Sequence, residues 1–374
     1  MKPKLLFISE SSPFPPRDGK RQRSLALVLG ALTAYEVDYL ILGNSIEYEQ
    51  TATQEIPGLS FLFLAQCRQS SLIKKLGLGF FPNQKNRKNL KDFLKEKSYS
   101  KVLCRYALAA RDLPDGLKYI IDVDDDYQEL MKTKIANKAS WWKKFRYIQI
   151  YLANRFFYFQ ILRKASRLIW VKNQKNSFSG SLLPNLPFQV LLRWEKPIST
   201  PNKKDILFVG KLSYEPNANG IRWFLEEVWP SIYQTGSGIV LTLVSSVAPD
   251  PALAQLIQSS PGVNLLIGVE DLLPIYNSHT CCIVPVFSGG GSNIKLAEAL
   301  VLGRKVVSTT FGARGFEPWV GAGLIYLAKD VVGWERAILS ILESPWKQAE
   351  FESVRNHFSI EMWNQSLIKI LDES

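Results

Sequence analysis

Residues Ser288-Gly289-Gly290-Gly291-Ser292-Asn293-Ile294-Lys295-Leu296-Ala297-Glu298-Ala299-Leu300 stand between two apolar runs, Cys281–Val286 and Lys305–Thr309. Strand, glycine-rich turn, short helix and strand is the order in which parallel α/β sheets bind phosphates. Glycine lets backbone amides approach an anion, and the new helix turns its positive end the same way. Lys295 falls in the first turn of that helix and adds a full charge. Glu298 follows one turn later on a neighbouring face, within reach of sugar hydroxyls. A triple glycine alone is also the signature of a tight turn that binds nothing, so the rest of the chain must decide.

The rest repeats the alternation. Leu5–Ser9 reads as a strand, Ser11–Lys20 as a loop, and Gln22–Leu32 as a helix. Val37–Leu42, Phe61–Leu64, Lys101–Cys104, Tyr119–Val123 and Leu168–Val171 read as further strands, with a charged helix at Asn86–Lys95. A linker is expected at Arg193–Lys204, around Pro197 and Pro201. The pattern restarts with strands at Asp205–Gly210, Ile239–Val244 and Val263–Ile267, a helix at Asn217–Tyr233 capped near Asn217 or Asn219, and a last helix at Ser359–Leu371. Strands alternating with helices predict doubly wound parallel sheets. Ligands of such sheets sit beyond the carboxyl ends of the strands. The loops Pro13–Lys20, Asp122–Asp126 and Ser288–Asn293, with Gly210-Lys211, fall at that level.

A chain of 374 residues is too long for one ordinary core and suits two α/β domains. Its 46% apolar and 21% charged residues exclude disorder. No run of apolar residues is long enough to predict a membrane span, and the first residues read as a strand rather than a leader. Cys67, Cys104, Cys281 and Cys282 form no Cys-x-x-Cys pair, which fits reduced thiols in the cytoplasm. His279 and His357 are the only histidines, which disfavours a histidine metal site and limits any Ser-His-Asp triad to these two.

The net charge of +12 is concentrated. Residues 130–194 hold 13 lysines and arginines and no acid, whereas the remainder sets 33 basic residues against 34 acidic ones. The same segment carries Trp141, Trp142, Phe145, Tyr147, Tyr151 and Phe156–Phe159. Cations with aromatics suit an anionic membrane surface, each nearby cation contributing about 1 kcal/mol. Against this, Phe145, Ile148, Leu152, Phe156, Phe159 and Leu162 recur at helical spacing, which predicts a core-facing stripe. The basic face is then merely solvated, or lines a cleft for an anionic ligand. Both readings stand at this point. Nucleic acid is disfavoured, since no motif for it accompanies the charge.

With these segments in view, the chain resembles a GT-B glycosyltransferase of the family 4 type. Pro13-Phe14-Pro15-Pro16-Arg17-Asp18-Gly19 resembles that family's acceptor-side loop, with Lys20 where a second glycine is frequent. Phe208-Val209-Gly210-Lys211-Leu212-Ser213-Tyr214-Glu215-Pro216-Asn217 resembles the entry to its donor domain. Val269–Tyr276 resembles the loop before its nucleotide site, and Gly289–Gly303 resembles the site itself. The resemblance implies two Rossmann-like domains facing across a cleft: residues 1–195 on the acceptor side, residues 204–355 for the donor, and residues 356–374 packing back on the first domain. It implies transfer of a hexose from a UDP- or GDP-linked sugar to a glycan or lipid-linked hydroxyl, with retention and without a metal or cofactor. Lys211 and Lys295 would neutralise the diphosphate, Gly290, Gly291, Ser292 and Asn293 would present amides to it, and Glu298 would hold the ribose. Arg17, Asp18 and Gly19 would face the acceptor. The implied place is the cytoplasm, peripheral on the inner membrane face through residues 130–194.

The chain departs from the pattern. Many relatives have two glutamates with seven residues between them, and Gly290 stands at the first position. The lysine usual after the first donor strand is absent, and the N-terminal half has no histidine. Asp122, Asp124 and Asp125, with Arg105 as an ion-pair partner, are the candidates to fill that catalytic place. Asp-x-Asp is also the metal-binding pattern of GT-A enzymes, and in the plainest reading the cluster is a solvated turn. The departures keep two alternatives open: a non-catalytic sugar-nucleotide-binding or scaffold subunit, and a nucleotide-sugar epimerase.

Overall fold

Parallel sheets are covered by helices on both faces, so their strands are apolar throughout rather than alternating. Strand β1, Lys4–Ser9, is of this kind and is buried from Leu5 onward. In this computed structural model the described residues are 2–374 except 17, 44–54, 68, 125, 137–140, 173–177, 188–189, 192–199, 202, 236–237 and 290–292, and except the side chains of 74, 133, 134, 203 and 204. Much of the expected linker lies outside them. The chain forms two compact units, Met1–Pro184 with Glu361–Ser374, and Asn185–Ile360.

The first unit adds β2 (Glu36–Gly43), β3 (Leu59–Ala65), β4 (Lys101–Arg105), β5 (Ile120–Val123), β6 (Arg167–Trp170) and β7 (Ser181–Leu182). All pair in parallel, in the order β3-β2-β1-β4-β5-β6-β7. The second contains β8 (Lys203–Val209), β9 (Leu241–Ser245), β10 (Val263–Ile267), β11 (His279–Val284), β12 (Lys305–Ser308) and β13 (Ile325–Leu327), again parallel, in the order β10-β9-β8-β11-β12-β13. Both sheets therefore reverse direction next to their first strand, between β1 and β4 and between β8 and β11. Those reversals open the crevices where doubly wound folds take ligands. The fold is α/β with two Rossmann-like sheets.

Each sheet closes its own core. Leu6, Ile8, Leu40 and Ile121 pack with Leu90, Tyr158 and Leu162 in the first unit. Phe208, Leu243 and Ile283 pack with Ile221, Phe224, Trp334 and Ile338 in the second. The helix Glu215–Trp223 sits so close to the end of β11 that a Cβ on Gly220 would lie 1.8 Å from the Pro285 carbonyl oxygen. The helix Ile360–Asp372 lies against the helix Gly19–Ala31, where a Cβ on Gly30 would meet Asn364 and Leu367 within 2.9 Å.

Two expectations need correction. Asn217 does not cap its helix, which begins at Glu215 with Tyr214 in the cap position. The periodic stripe on the helix Trp141–Lys164 is not core. Phe145, Ile148, Leu152 and Phe156 are exposed, as are Trp141 and Trp142, while Leu162 alone of the stripe is buried and Phe159 is half-buried. Spacing fixes which residues share a face of a helix, not which face meets the sheet. Among the described residues no helix is long and apolar enough to cross a membrane.

Gly220→Ala is expected to lower the stability of the second unit by about 2–3 kcal/mol, since the carbonyl it strikes is backbone. Denaturant unfolding measures it, and an unchanged midpoint would mean that the Pro285 segment moves aside freely.

Candidate functional site

In the second unit the crevice between β8 and β11 gathers residues far apart in sequence. Gly210 and Lys211 follow β8 directly. Asn217 donates from Nδ2 to the Lys211 carbonyl at 3.0 Å. Its Oδ1 accepts from the Lys295 ammonium at 2.6 Å. The Lys295 amine also lies 4.8 Å from the Phe208 ring centroid. A side chain at position 210 would intrude on this arrangement, because its Cβ would stand 3.0 Å from both Asn217 Nδ2 and Lys295 Nζ. Burial pulls the Lys295 pKa down to about 7, against the opposing pull of Glu298. Lys211 itself is exposed.

Lys295 and Glu298 belong to the helix Ile294–Val301. Asn293 stands at its cap position but gives its side-chain amide to the Gly312 carbonyl at 2.7 Å, which ties the turn to the segment after β12. Gly289 takes φ +128°, a conformation for glycine alone, with Tyr214 packed against its open side. Glu298 is 3% exposed and accepts from the Tyr276 hydroxyl at 3.0 Å. Burial, and then that carboxylate, push the Tyr276 phenol far up, so it remains a donor at any working pH. Gly290, Gly291 and Ser292 lie outside the described residues.

The first unit builds a different cluster at the carboxyl ends of β4 and β5. Asp122 has no exposed surface. Arg23 of the helix Gly19–Ala31 meets its Oδ1 at 2.5 Å, and Arg105 meets its Oδ2 at 2.7 Å. Arg105 reaches Asp124 at 2.7 Å with its other terminal nitrogen. The pairing expected for Arg105 therefore involves two aspartates, and neither is a solvated turn. These carboxylates face guanidinium groups, an arrangement that ties β4 and β5 to the helix Gly19–Ala31. Asp125 and Arg17 lie outside the described residues. Asp18 caps the helix Gly19–Ala31, accepting from the Arg21 amide at 2.9 Å, and Gly19 is its first residue.

Next to that network, Tyr106 follows β4 with φ +68°, the only described non-glycine residue with positive φ. Arg105 stacks on its ring at 4.0 Å and Lys20 approaches it at 5.3 Å. Glu10 follows β1 on the other side of the reversal. Burial raises its pKa, while Arg111 and Lys20 act against the shift. No pattern in the sequence singled out Glu10 or Tyr106, nor Asn217 as the link between two lysines. His279 is tied to Thr242 and the Ile275 carbonyl at 2.9 and 2.7 Å, and His357 packs on Trp319 and Phe358.

Residues 203–344 match the family described as Glycosyl transferases group 1. The match falls within the second unit. An uncharacterized 44.6 kDa protein in the cps region of Klebsiella pneumoniae is 25% identical over 362 residues, 90% of either chain. WaaG, a glycosyltransferase involved in lipopolysaccharide biosynthesis, aligns over 99% of this chain and 100% of its own with a TM-score of 0.66 and 13% identity. A trehalose-6-phosphate structure from E. coli bound with UDP-2-fluoro glucose aligns over 99% of both chains with a TM-score of 0.64 and 14% identity. The fold is thus GT-B, and the Lys295–Asn217–Lys211 arrangement lies inside the matched residues 203–344.

Removing one partner from a buried ion pair strands the other, at about 3–5 kcal/mol. Asp122→Ala is expected to destabilise the first unit by that amount, measured by chemical denaturation. A loss under 1 kcal/mol would show that Arg23 and Arg105 do not depend on this carboxylate.

Proposed function

We propose that the protein transfers a hexose from a nucleoside diphosphate sugar to a hydroxyl of a glycan or a lipid-linked acceptor, with retention of configuration and without a metal. The observation that carries this is the Lys295 ammonium held on Asn217 at the β8/β11 reversal of the glycosyl transferase domain. Donor cleavage breaks the bond between the anomeric carbon and a phosphate oxygen, and the electron pair leaves with the nucleoside diphosphate. Preorganised positive charge at that oxygen lowers the barrier. Lys295, the first turn of its helix and Lys211 supply it, while Glu298, oriented by Tyr276, accepts from the ribose. The acceptor oxygen forms the new bond to the anomeric carbon and its proton passes to the departing phosphate oxygen, and the first unit holds that acceptor beside Glu10, Tyr106 and Asp124.

Several points support the finer reading. The Asp122 and Asp124 carboxylates already face arginines, which favours cation-free catalysis. The Klebsiella relative comes from a cps region and WaaG acts in lipopolysaccharide biosynthesis, both glycan-assembly settings. The exposed aromatic helix in the basic segment favours peripheral attachment to an anionic membrane from the cytoplasmic side.

Thermal unfolding against UDP, GDP, ADP and their sugars tests the donor site. One base is expected to raise the midpoint, and Glu298→Ala to abolish the rise. No rise with any nucleotide would return the scaffold alternative. A second measurement uses the Lys295 pKa of about 7. A diphosphate beside the amine raises that pKa, so affinity is full below pH 7 and falls as pH rises above it, by up to tenfold per unit. Calorimetry with a nucleotide sugar, whose diphosphate does not titrate there, should show proton uptake at pH 8. Affinity independent of pH between 6 and 8.5 would remove Lys295 from the diphosphate site.

A further inference from the structure

The first unit contains a cavity of about 660 Å³ that the transfer reaction does not use. It lies between the helices Gln84–Lys95 and Trp141–Lys164 and the segment Ala110–Tyr119. Tyr119 and Ser166, which line it, come immediately before β5 and β6. The cavity therefore sits at the amino ends of strands whose carboxyl ends carry Asp122 and Asp124, separated by the length of the four-residue strand β5, about 13 Å. It cannot serve the acceptor cluster.

Its walls are apolar, with Phe80, Leu113, Phe157 and Ile161 among them. Cations outnumber acids in its lining: Arg87, Arg111, Lys118 and Lys164 stand with Asp115 and the last residue, Ser374. Asp115 bridges Arg87 at 3.1 Å and Lys164 at 2.8 Å, and Arg111 is paired with Asp112 at 2.8 Å. Arg87 Nε is buried and, among the described residues, has no hydrogen-bond partner. The exposed residues Trp141, Phe145, Ile148, Leu152 and Phe156 recur in steps of three and four, so they form one ridge along the helix. Phe156 and Gln160, a step further on, line the cavity. The ridge runs into its mouth.

We propose that this cavity binds an anionic membrane phospholipid, taking a hydrocarbon chain between the apolar walls and a head-group oxygen on Arg87. The proposal rests on the reading that the long helix lies on a membrane, and it adds a defined lipid site to that contact. A chain drawn out of the bilayer into protein fixes depth and rotation, which a flat basic face does not. Charge complementarity selects the anionic lipid, since residues 130–194, whose Phe156, Gln160 and Lys164 line the cavity, carry no acid.

The test uses the full chain and two probes. Decyl phosphate, kept below its micellar concentration, is expected to bind at one per protein by calorimetry. Gln160→Trp, a change at an exposed position, is expected to weaken that binding at least tenfold by closing the mouth, and Arg87→Leu to weaken it by removing the donor. Both should leave nucleotide binding intact. No saturable binding, or equal binding in Gln160→Trp and the unaltered protein, overturns the cavity site. Flotation with phosphatidylglycerol–phosphatidylcholine vesicles separates this from the membrane reading. Flotation that persists without decyl phosphate binding leaves the membrane contact standing and sinks the cavity. Decyl phosphate binding without flotation overturns the bilayer as the source.

Discussion

Parallel pairing is the constraint from which the other features follow. A parallel strand can be joined to the next only by a crossover, so every strand of each sheet ends on the same edge. That edge collects what the crossovers leave there: Glu10, Arg105, Tyr106 and Asp124 in one unit, Gly210, Lys211 and the glycine-rich turn in the other. The order reversal beside β1 and β8 then separates two neighbouring crossovers and leaves space between them. The same rule places the segments before the strands on the far edge, which is where the apolar cavity lies.

The two crevices differ in how charge is held. In the first, Arg23, Arg105, Asp122 and Asp124 neutralise one another in a buried network. Such a network gains little over an apolar core and is costly to break, so it fixes geometry more than it adds stability. In the second, the Lys295 ammonium rests on a neutral amide and an aromatic face, and among the described residues Glu298 is the carboxylate that acts on it. A fixed site and an under-compensated one are the division of labour expected of a positioning cluster and an anion site.

Much of this was legible in the sequence, and the reasons for the remainder are physical. Buried parallel strands must be apolar along their length, so β1 and β4 fall within one residue of where they were read, and most others within a residue or two. The glycine-rich turn and Lys295 were visible because phosphate binding restricts backbone and charge together. Asn217 and Lys295 are 78 residues apart, and nothing local announces their contact. Arg23 has the pattern of an ordinary helix-surface cation, and its burial depends on Asp122, 99 residues away. The aromatic stripe misled because a helix that faces its apolar side outward has the same periodicity as one that faces it inward.

Tyr106 invites one more conclusion. Glycine would occupy its left-handed backbone without strain, whereas a tyrosine there costs on the order of 1 kcal/mol or more. Selection for stability alone would drift this position towards glycine or asparagine. The ring returns part of that cost: its face lies under Arg105 and near Lys20, and its hydroxyl accepts from Arg105 at 3.0 Å. The left-handed backbone at Tyr106 is thus bound up with the same arginine that holds Asp122 and Asp124, so strain and charge network stand or fall together.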